Sequence, residues 1–194
     1  MIEIPAGMRL VVASASPRRS ELLRVVGLDF DVIPAEIDES VLAGEMPADY
    51  VARLSVEKAS VVAGRVGPDA IVVAADTTVD VDGQILEKPS DGADARRMLE
   101  LLSGRTHLVH TGVTVLSTSR CSTVVVETAV EFVDLTPAMV EWYVGTGEPF
   151  GKAGGYAIQG AAGAFVRGLD GSVTNVIGLP LAETLDLITR GLNL

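Results

Sequence analysis

Apolar residues recur along this chain with two periods, and each change of period marks an element. "RLVVA" at 9–13 reads as a buried strand, and "SPRRSELLRVVG" then switches to helical spacing. There Ser16 is placed as N-cap, Pro17 as first helical residue and Gly27 as the stop, which predicts a helix over 17–26. A short strand is expected around 30–38. Pro47 opens a second helix that closes near Gly64, with Tyr50, Val51, Leu54, Lys58 and Val61 near one stripe. "DAIVVAAD" at 69–76 is almost continuously apolar and stops at a carboxylate, which predicts a central strand ending at Asp76. A hairpin follows, turning at Asp82-Gly83. A helix closed by Gly104 turns Met98, Leu99 and Leu102 inward, and alternating segments 107–117 and 122–133 are expected to pair antiparallel. Thr136 and Pro137 start a short helix in which Trp142 and Tyr143 are assigned to packing. After a Gly-rich stretch, Pro180 opens a final helix. Helix-separated strands mixed with hairpins predict an α/β fold: an elongated mixed sheet flanked by helices.

A length of 194 residues suits one domain with one well-filled core, or two small lobes. Aromatic residues make up 4% against 48% hydrophobic residues overall, so Val, Ala, Leu and Ile must fill that core. The net charge of −11, from 15 basic and 26 acidic residues, argues against nucleic acid or an anionic membrane as partner. Phosphate, if bound, is then met by a few placed cations. Cys121 is the single cysteine, so no internal disulfide can form and a reducing, cytoplasmic setting is expected. "MIEIPAGMRL" has neither the basic region nor the long apolar run of a signal peptide. His107 and His110, three apart on a strand, face opposite sides and are taken as ordinary strand positions.

Arg18 and Arg19 stand in the first turn of a helix, where the helix dipole disfavours cations. An anion held between helix amides and guanidinium groups would offset that penalty. No P-loop, dinucleotide fingerprint or Gly-x-Ser-x-Gly elbow is present. What remains is a set of acids and bases at element ends: Glu36 and Asp38, which share a face if their strand extends that far, Asp76, and Glu87 with Lys88. Carboxylates that hold a hard cation or deprotonate water, with cations facing phosphoryl oxygens, suit phosphoanhydride hydrolysis. Gln159, in the Gly-rich stretch, is placed to read a base edge if that loop covers a pocket.

The segments "ASASPRRSELL", "AADTTV" with "GQILEKP", "LSGRTHLVHTGV", and "GKAGGYAIQGAAGAFV" with "GSVTNVIGLPL" resemble the signatures of the Maf family of nucleoside triphosphate pyrophosphatases, in order over residues 9 to 190. The resemblance implies a two-lobed fold with a central nucleotide cleft, related to the inosine triphosphate pyrophosphatases, and a homodimer. It implies that Ser14, Arg18 and Arg19 bind the phosphate chain, that Glu36 and Asp76 handle metal and water with Asp76 as general base, and that Lys88 contacts phosphates. Lys58 stands where the family has a lysine on the helix after the acidic segment. Arg18, Thr77 and Gln159 match positions associated with base discrimination. Asp76-Thr77 with "YAIQG" resembles the branch acting on dTTP and UTP. The implied reaction is metal-assisted water attack at the α-phosphorus, with magnesium, manganese or cobalt as cofactor. Two alternatives are a pyrophosphatase for modified nucleotides and a nucleotide-binding regulator of cell division without catalysis.

Overall fold

The computed structural model describes residues 2–192. Its strands are β1 (Arg9–Val12), β2 (Asp31–Val32), β3 (Ala70–Val81), β4 (Gln84–Leu86), β5 (Thr106–Leu116), β6 (Cys121–Phe132) and β7 (Val166–Asp170). Its α-helices are α1 (Pro17–Val25), α2 (Pro47–Val66), α3 (Gly92–Leu102), α4 (Pro137–Gly145), α5 (Val173–Ile177) and α6 (Leu181–Gly191). The strands form one sheet in the order β2-β1-β3-β5-β6-β7, with β4 added on β3. β1 pairs in parallel with β2 and β3, whereas β4 on β3 and β7 on β6 are antiparallel, so the sheet is mixed as expected. β5 and β6 are neighbours joined by residues 117–120, a connection short enough only for antiparallel strands.

Two compact units divide the chain. Unit 1 comprises Met1–Asp76, Thr111–Val126 and Gly178–Leu194; unit 2 comprises Thr77–His110 and Glu127–Ile177. In unit 1, α2 lays Ala59, Val62 and Val66 against Val11, Ala13, Val72 and Ala74 of the β1 and β3 region. In unit 2, α3 contributes Ala95, Met98, Leu99 and Leu102 to a core shared with Phe132, Tyr143 and Phe165. The aromatic residues are few but concentrated there.

Three expectations need correction. The strand predicted at 30–38 contracts to Asp31–Val32, because its partner β1 ends at Val12, whose carbonyl the Ile33 N–H already takes, and nothing beyond continues the ladder. Asp76 does not end a strand: β3 runs through it to Val81, and Asp82-Gly83, both at positive φ as a type I′ turn requires, return the chain into β4. Val62, rather than Val61, completes the buried stripe of α2, which passes Gly64 and stops at Gly67. β7 forms in the Gly-rich stretch and α5 just after it, at positions to which the sequence assigned no element. Tyr143 is fully buried as assigned, but Trp142 keeps half its surface exposed.

Gly112 on β5 allows α2 to lie close to the sheet. A Cβ there would stand 2.3 Å from the Val51 carbonyl oxygen and 2.6 Å from its carbon, both backbone atoms unable to rotate away. Gly112→Ala should therefore cost about 2 kcal/mol of stability through overpacking, read as a lower urea midpoint at unchanged slope.

Candidate functional site

The loop between β1 and α1 carries the first group of polar residues. Ser14 is buried, and its Oγ accepts from the Ser16 N–H (3.2 Å) and from Arg19 Nη1 (3.0 Å). Ser16 occupies the N-cap position as expected but makes no side-chain cap bond, and the first turn of α1 holds no acid. Arg19 Nε donates to the Gly178 carbonyl oxygen at 2.7 Å, which ties the start of α1 to a late segment of the chain. Burial pulls the Arg19 guanidinium below its ordinary range, while Asp76 and Glu39 act in the opposite direction. Arg18 is half-buried, and no carboxylate pairs with it among the described residues.

Lys58 is the hub of unit 1. Its Nζ lies 2.6 Å from Asp76 Oδ1 and 2.6 Å from Glu39 Oε1, with Lys58 and Asp76 both buried. Asp76 arrives by the continuous β3, and Lys58 by the sheet-facing side of α2. Glu39 belongs to an irregular segment held by α2: Tyr50 Oη donates to the Glu39 carbonyl (2.8 Å), and Arg53 binds the Ser40 carbonyl and the Glu45 carboxylate. With Oδ1 engaged by Lys58, the other oxygen of Asp76 remains to accept from a water or a cation. One ammonium thus spaces two carboxylates beside the Arg19 guanidinium, an arrangement that can orient water and neutralise phosphoryl charge.

Sequence reasoning placed Ser14, Arg18, Arg19, Lys58 and Asp76 in this neighbourhood, and it overlooked Glu39. The signal was weak, since "EIDES" offers acids at 36, 38 and 39, and only the tertiary contact with Lys58 singles one out. Glu36 is exposed. The face proposed to unite Glu36 and Asp38 does not form, because the strand ends before them; Asp38 instead accepts from the Ser40 N–H (2.9 Å), which holds its carboxyl low. In unit 2, Thr77 is half-buried next to Asp76 in sequence, while Lys88 and Gln159 are exposed. His107 and His110 are both buried: His107 Nε2 lies 2.8 Å from Tyr156 Oη, and His110 Nε2 lies 3.3 Å from Asp80 Oδ2.

Among the described residues, no group of three or more His, Cys, Asp and Glu side chains is arranged to hold a metal ion. Two carboxylates on one lysine nonetheless fit a cation of the magnesium type, which takes one or two protein carboxylates and completes its shell with water and substrate phosphates. No helix among the described residues is long and apolar enough to cross a membrane.

Comparison with known proteins gives this geometry a context. The chain is 55% identical over 186 residues to a dTTP/UTP pyrophosphatase of Anaeromyxobacter dehalogenans, covering 94% of this chain and 93% of that protein. It is 47% identical over 182 residues to a dTTP/UTP pyrophosphatase of Syntrophus aciditrophicus, covering 93% and 88%. Among solved structures, the Ham1 protein of Staphylococcus aureus aligns with a TM-score of 0.48 at 15% identity, over 65% of this chain and 72% of that one. Residues 9–191 match the model of the Maf family, described as Maf-like protein. With nearly its whole length matched, and with relatives at about half identity or above, this chain belongs to the Maf-like protein family.

Proposed function

We propose that this chain is a nucleoside triphosphate pyrophosphatase that hydrolyses dTTP and UTP to the monophosphate and pyrophosphate. The observation that carries the proposal is the Lys58 ammonium set between Glu39 and Asp76 beside Arg19 and Ser14. Relatives named for this activity over nine-tenths of the chain support it.

The triphosphate is held at the start of α1 by Arg18, Arg19 and the amides of the first turn. Arg18, with no internal acid to leave, engages it at least cost. Asp76 accepts a proton from water through the oxygen that Lys58 does not occupy. That water's oxygen bonds to the α-phosphorus, the bond from this phosphorus to the bridging oxygen breaks, and pyrophosphate departs with the electron pair. Asp76 and Glu39 would hold a divalent cation, which would supply neutralisation of the charge that builds on the phosphoryl oxygens. Lys88 is assigned to the phosphate chain and Thr77 and Gln159 to the base, all three from the family resemblance. A cytoplasmic homodimer of single-domain, two-lobed subunits rests on the same resemblance.

The test is pyrophosphate release from separate dTTP, UTP, CTP, GTP and 7-methyl-GTP samples with magnesium or manganese. Preferential cleavage of dTTP and UTP is the expected result. Saturable binding without release would move the chain to the regulator, and preference for a modified base would move it to nucleotide sanitation.

A further inference from the structure

In unit 2, the residues on either side of Gln159 are held by one carboxylate. Glu148 follows α4 in "GTGEPF", a stretch to which the sequence assigned no chemistry. Its Oε2 accepts from the Ala161 N–H (3.0 Å) and its Oε1 from the Ala162 N–H (3.4 Å). Oε1 also accepts from Tyr143 Oη at 2.7 Å, and that same hydroxyl accepts from the Ala157 N–H at 3.2 Å. The amides before and after Gln159 therefore converge on Glu148, directly on one side and through the buried Tyr143 on the other. Between them the loop closes on itself, with the Gly160 N–H bonded to the Ala157 carbonyl (3.0 Å). Ile158 packs on the apolar core while Gln159 projects to the exposed side.

The fit leaves no room for slack. A Cβ at Gly160 would stand 2.3 Å from Glu148 Oε2, so the glycine lets the backbone close over the carboxylate. Burial alone would raise the Glu148 carboxyl, but the Ala161 amide, the Tyr143 hydroxyl and the Ala162 amide together hold it below the usual carboxylate range. Glu148 is thus ionised at neutral pH and accepts from both amides and the hydroxyl, with the Lys152 charge acting in the same direction.

We propose that Glu148, with Tyr143 as its relay, is a positioning residue that fixes segment 157–162 so that the Gln159 amide is preset to select the base of the bound nucleotide. This deepens the proposed function and rests on it for the role of Gln159. A preset loop spares the complex the ordering of several residues on binding, and this shows as affinity for nucleotides that carry a base. Inorganic tripolyphosphate, which has no base, gains nothing from it.

The experiment compares the wild type with Glu148→Gln, which keeps size but presents an NH₂ to donors and so leaves at least one amide or the hydroxyl without its acceptor. Dissociation constants are measured by calorimetry for α,β-methylene dTTP, which resists cleavage, and for tripolyphosphate; amide hydrogen exchange is followed over 157–163. The expected result is about tenfold weaker binding of the dTTP analogue, the effect of one lost hydrogen bond. Tripolyphosphate affinity stays unchanged, exchange at 157–163 quickens, and kcat for dTTP stays within about twofold while KM rises. Parallel loss of both ligands would show a merely structural role and overturn the proposal, as would faster exchange with unchanged affinity for the analogue. Wild-type protein that binds the analogue no better than tripolyphosphate would instead defeat the pyrophosphatase assignment, and Glu148 with it. Should Glu148→Gln fail to fold, Tyr143→Phe removes the hydroxyl that joins the Ala157 amide to Glu148, leaves the Ala161 and Ala162 amides on the carboxylate, and is held to the same comparison in affinity and exchange.

Discussion

Asp76→Asn lowers kcat for dTTP by about a thousandfold, within the range that a positioned general base contributes, and changes KM by no more than about threefold. The reason lies in what the substitution keeps. Asparagine has nearly the same volume, its carbonyl oxygen still accepts from Lys58, and Lys58 retains Glu39 at 2.6 Å, so the buried ammonium is not left alone. Folding should survive where chemistry does not, because an amide cannot take a proton from water at neutral pH. Removing one negative charge eases approach of the triphosphate while weakening one ligand of the proposed cation, so the two effects on affinity oppose each other and KM moves little. Single-turnover release of pyrophosphate beside nucleotide binding checks both halves. A variant with normal kcat would remove Asp76 from the chemistry, while a variant that loses binding and turnover together would make it a structural partner of Lys58.

Lowering the pH from 6.5 to 4 should remove roughly 3 kcal/mol of stability through His107 alone. Burial pushes its imidazole from the ordinary 6.5 down to about 4. It stands among Phe132 and Tyr156, with ring centroids at 4.9 and 5.4 Å, and its Nδ1 has no hydrogen-bond partner. The folded chain therefore keeps His107 neutral where the unfolded chain protonates it. Between about 4 and 6.5 the unfolded state binds the extra proton, so stability is full above 6.5 and falls as the pH drops through this window. Carboxyls held low, such as Asp94 by Arg97 and Glu45 by Arg53, act in a different range: their contribution fades only below their ordinary values. Urea unfolding from pH 7 to 5 isolates the histidine. His107→Gln, which stays neutral and still offers Tyr156 a hydrogen-bond partner, should flatten the slope there. An unchanged slope would assign the loss elsewhere.

Much of the fold was legible because period and punctuation agreed. The apolar run before Asp76, the Asp82-Gly83 turn and the inward face of α3 each had a local signal, and each formed. The failures came where tertiary contacts outrank local ones. Thr77, Thr78 and Asp80 look like the polar beginning of a hairpin, yet they continue the same strand, because pairing with β4 carries it past the carboxylate. Glu39 and Glu148 share a different difficulty. Neither belongs to a regular element, and the importance of each comes from what converges on it: an ammonium from α2 in one case, loop amides and a tyrosine hydroxyl in the other. A one-dimensional pattern registers spacing, and convergence has none. The arginine pair of α1 was the exception, since a cation placed against a helix dipole is an anomaly visible in the sequence itself.

The bond from Arg19 to the Gly178 carbonyl also bears on how the chain comes into being. A ribosome delivers Ser14, Arg19, Glu39, Lys58 and Asp76 within the first 76 residues, but unit 1 is finished only by the segment that begins at Gly178. Unit 2, encoded wholly within 77–177, emerges complete before then. During synthesis Arg19 therefore waits for its last anchor through more than a hundred codons, and a nascent chain cut short before residue 178 carries all five of these side chains without the carbonyl that fixes Arg19.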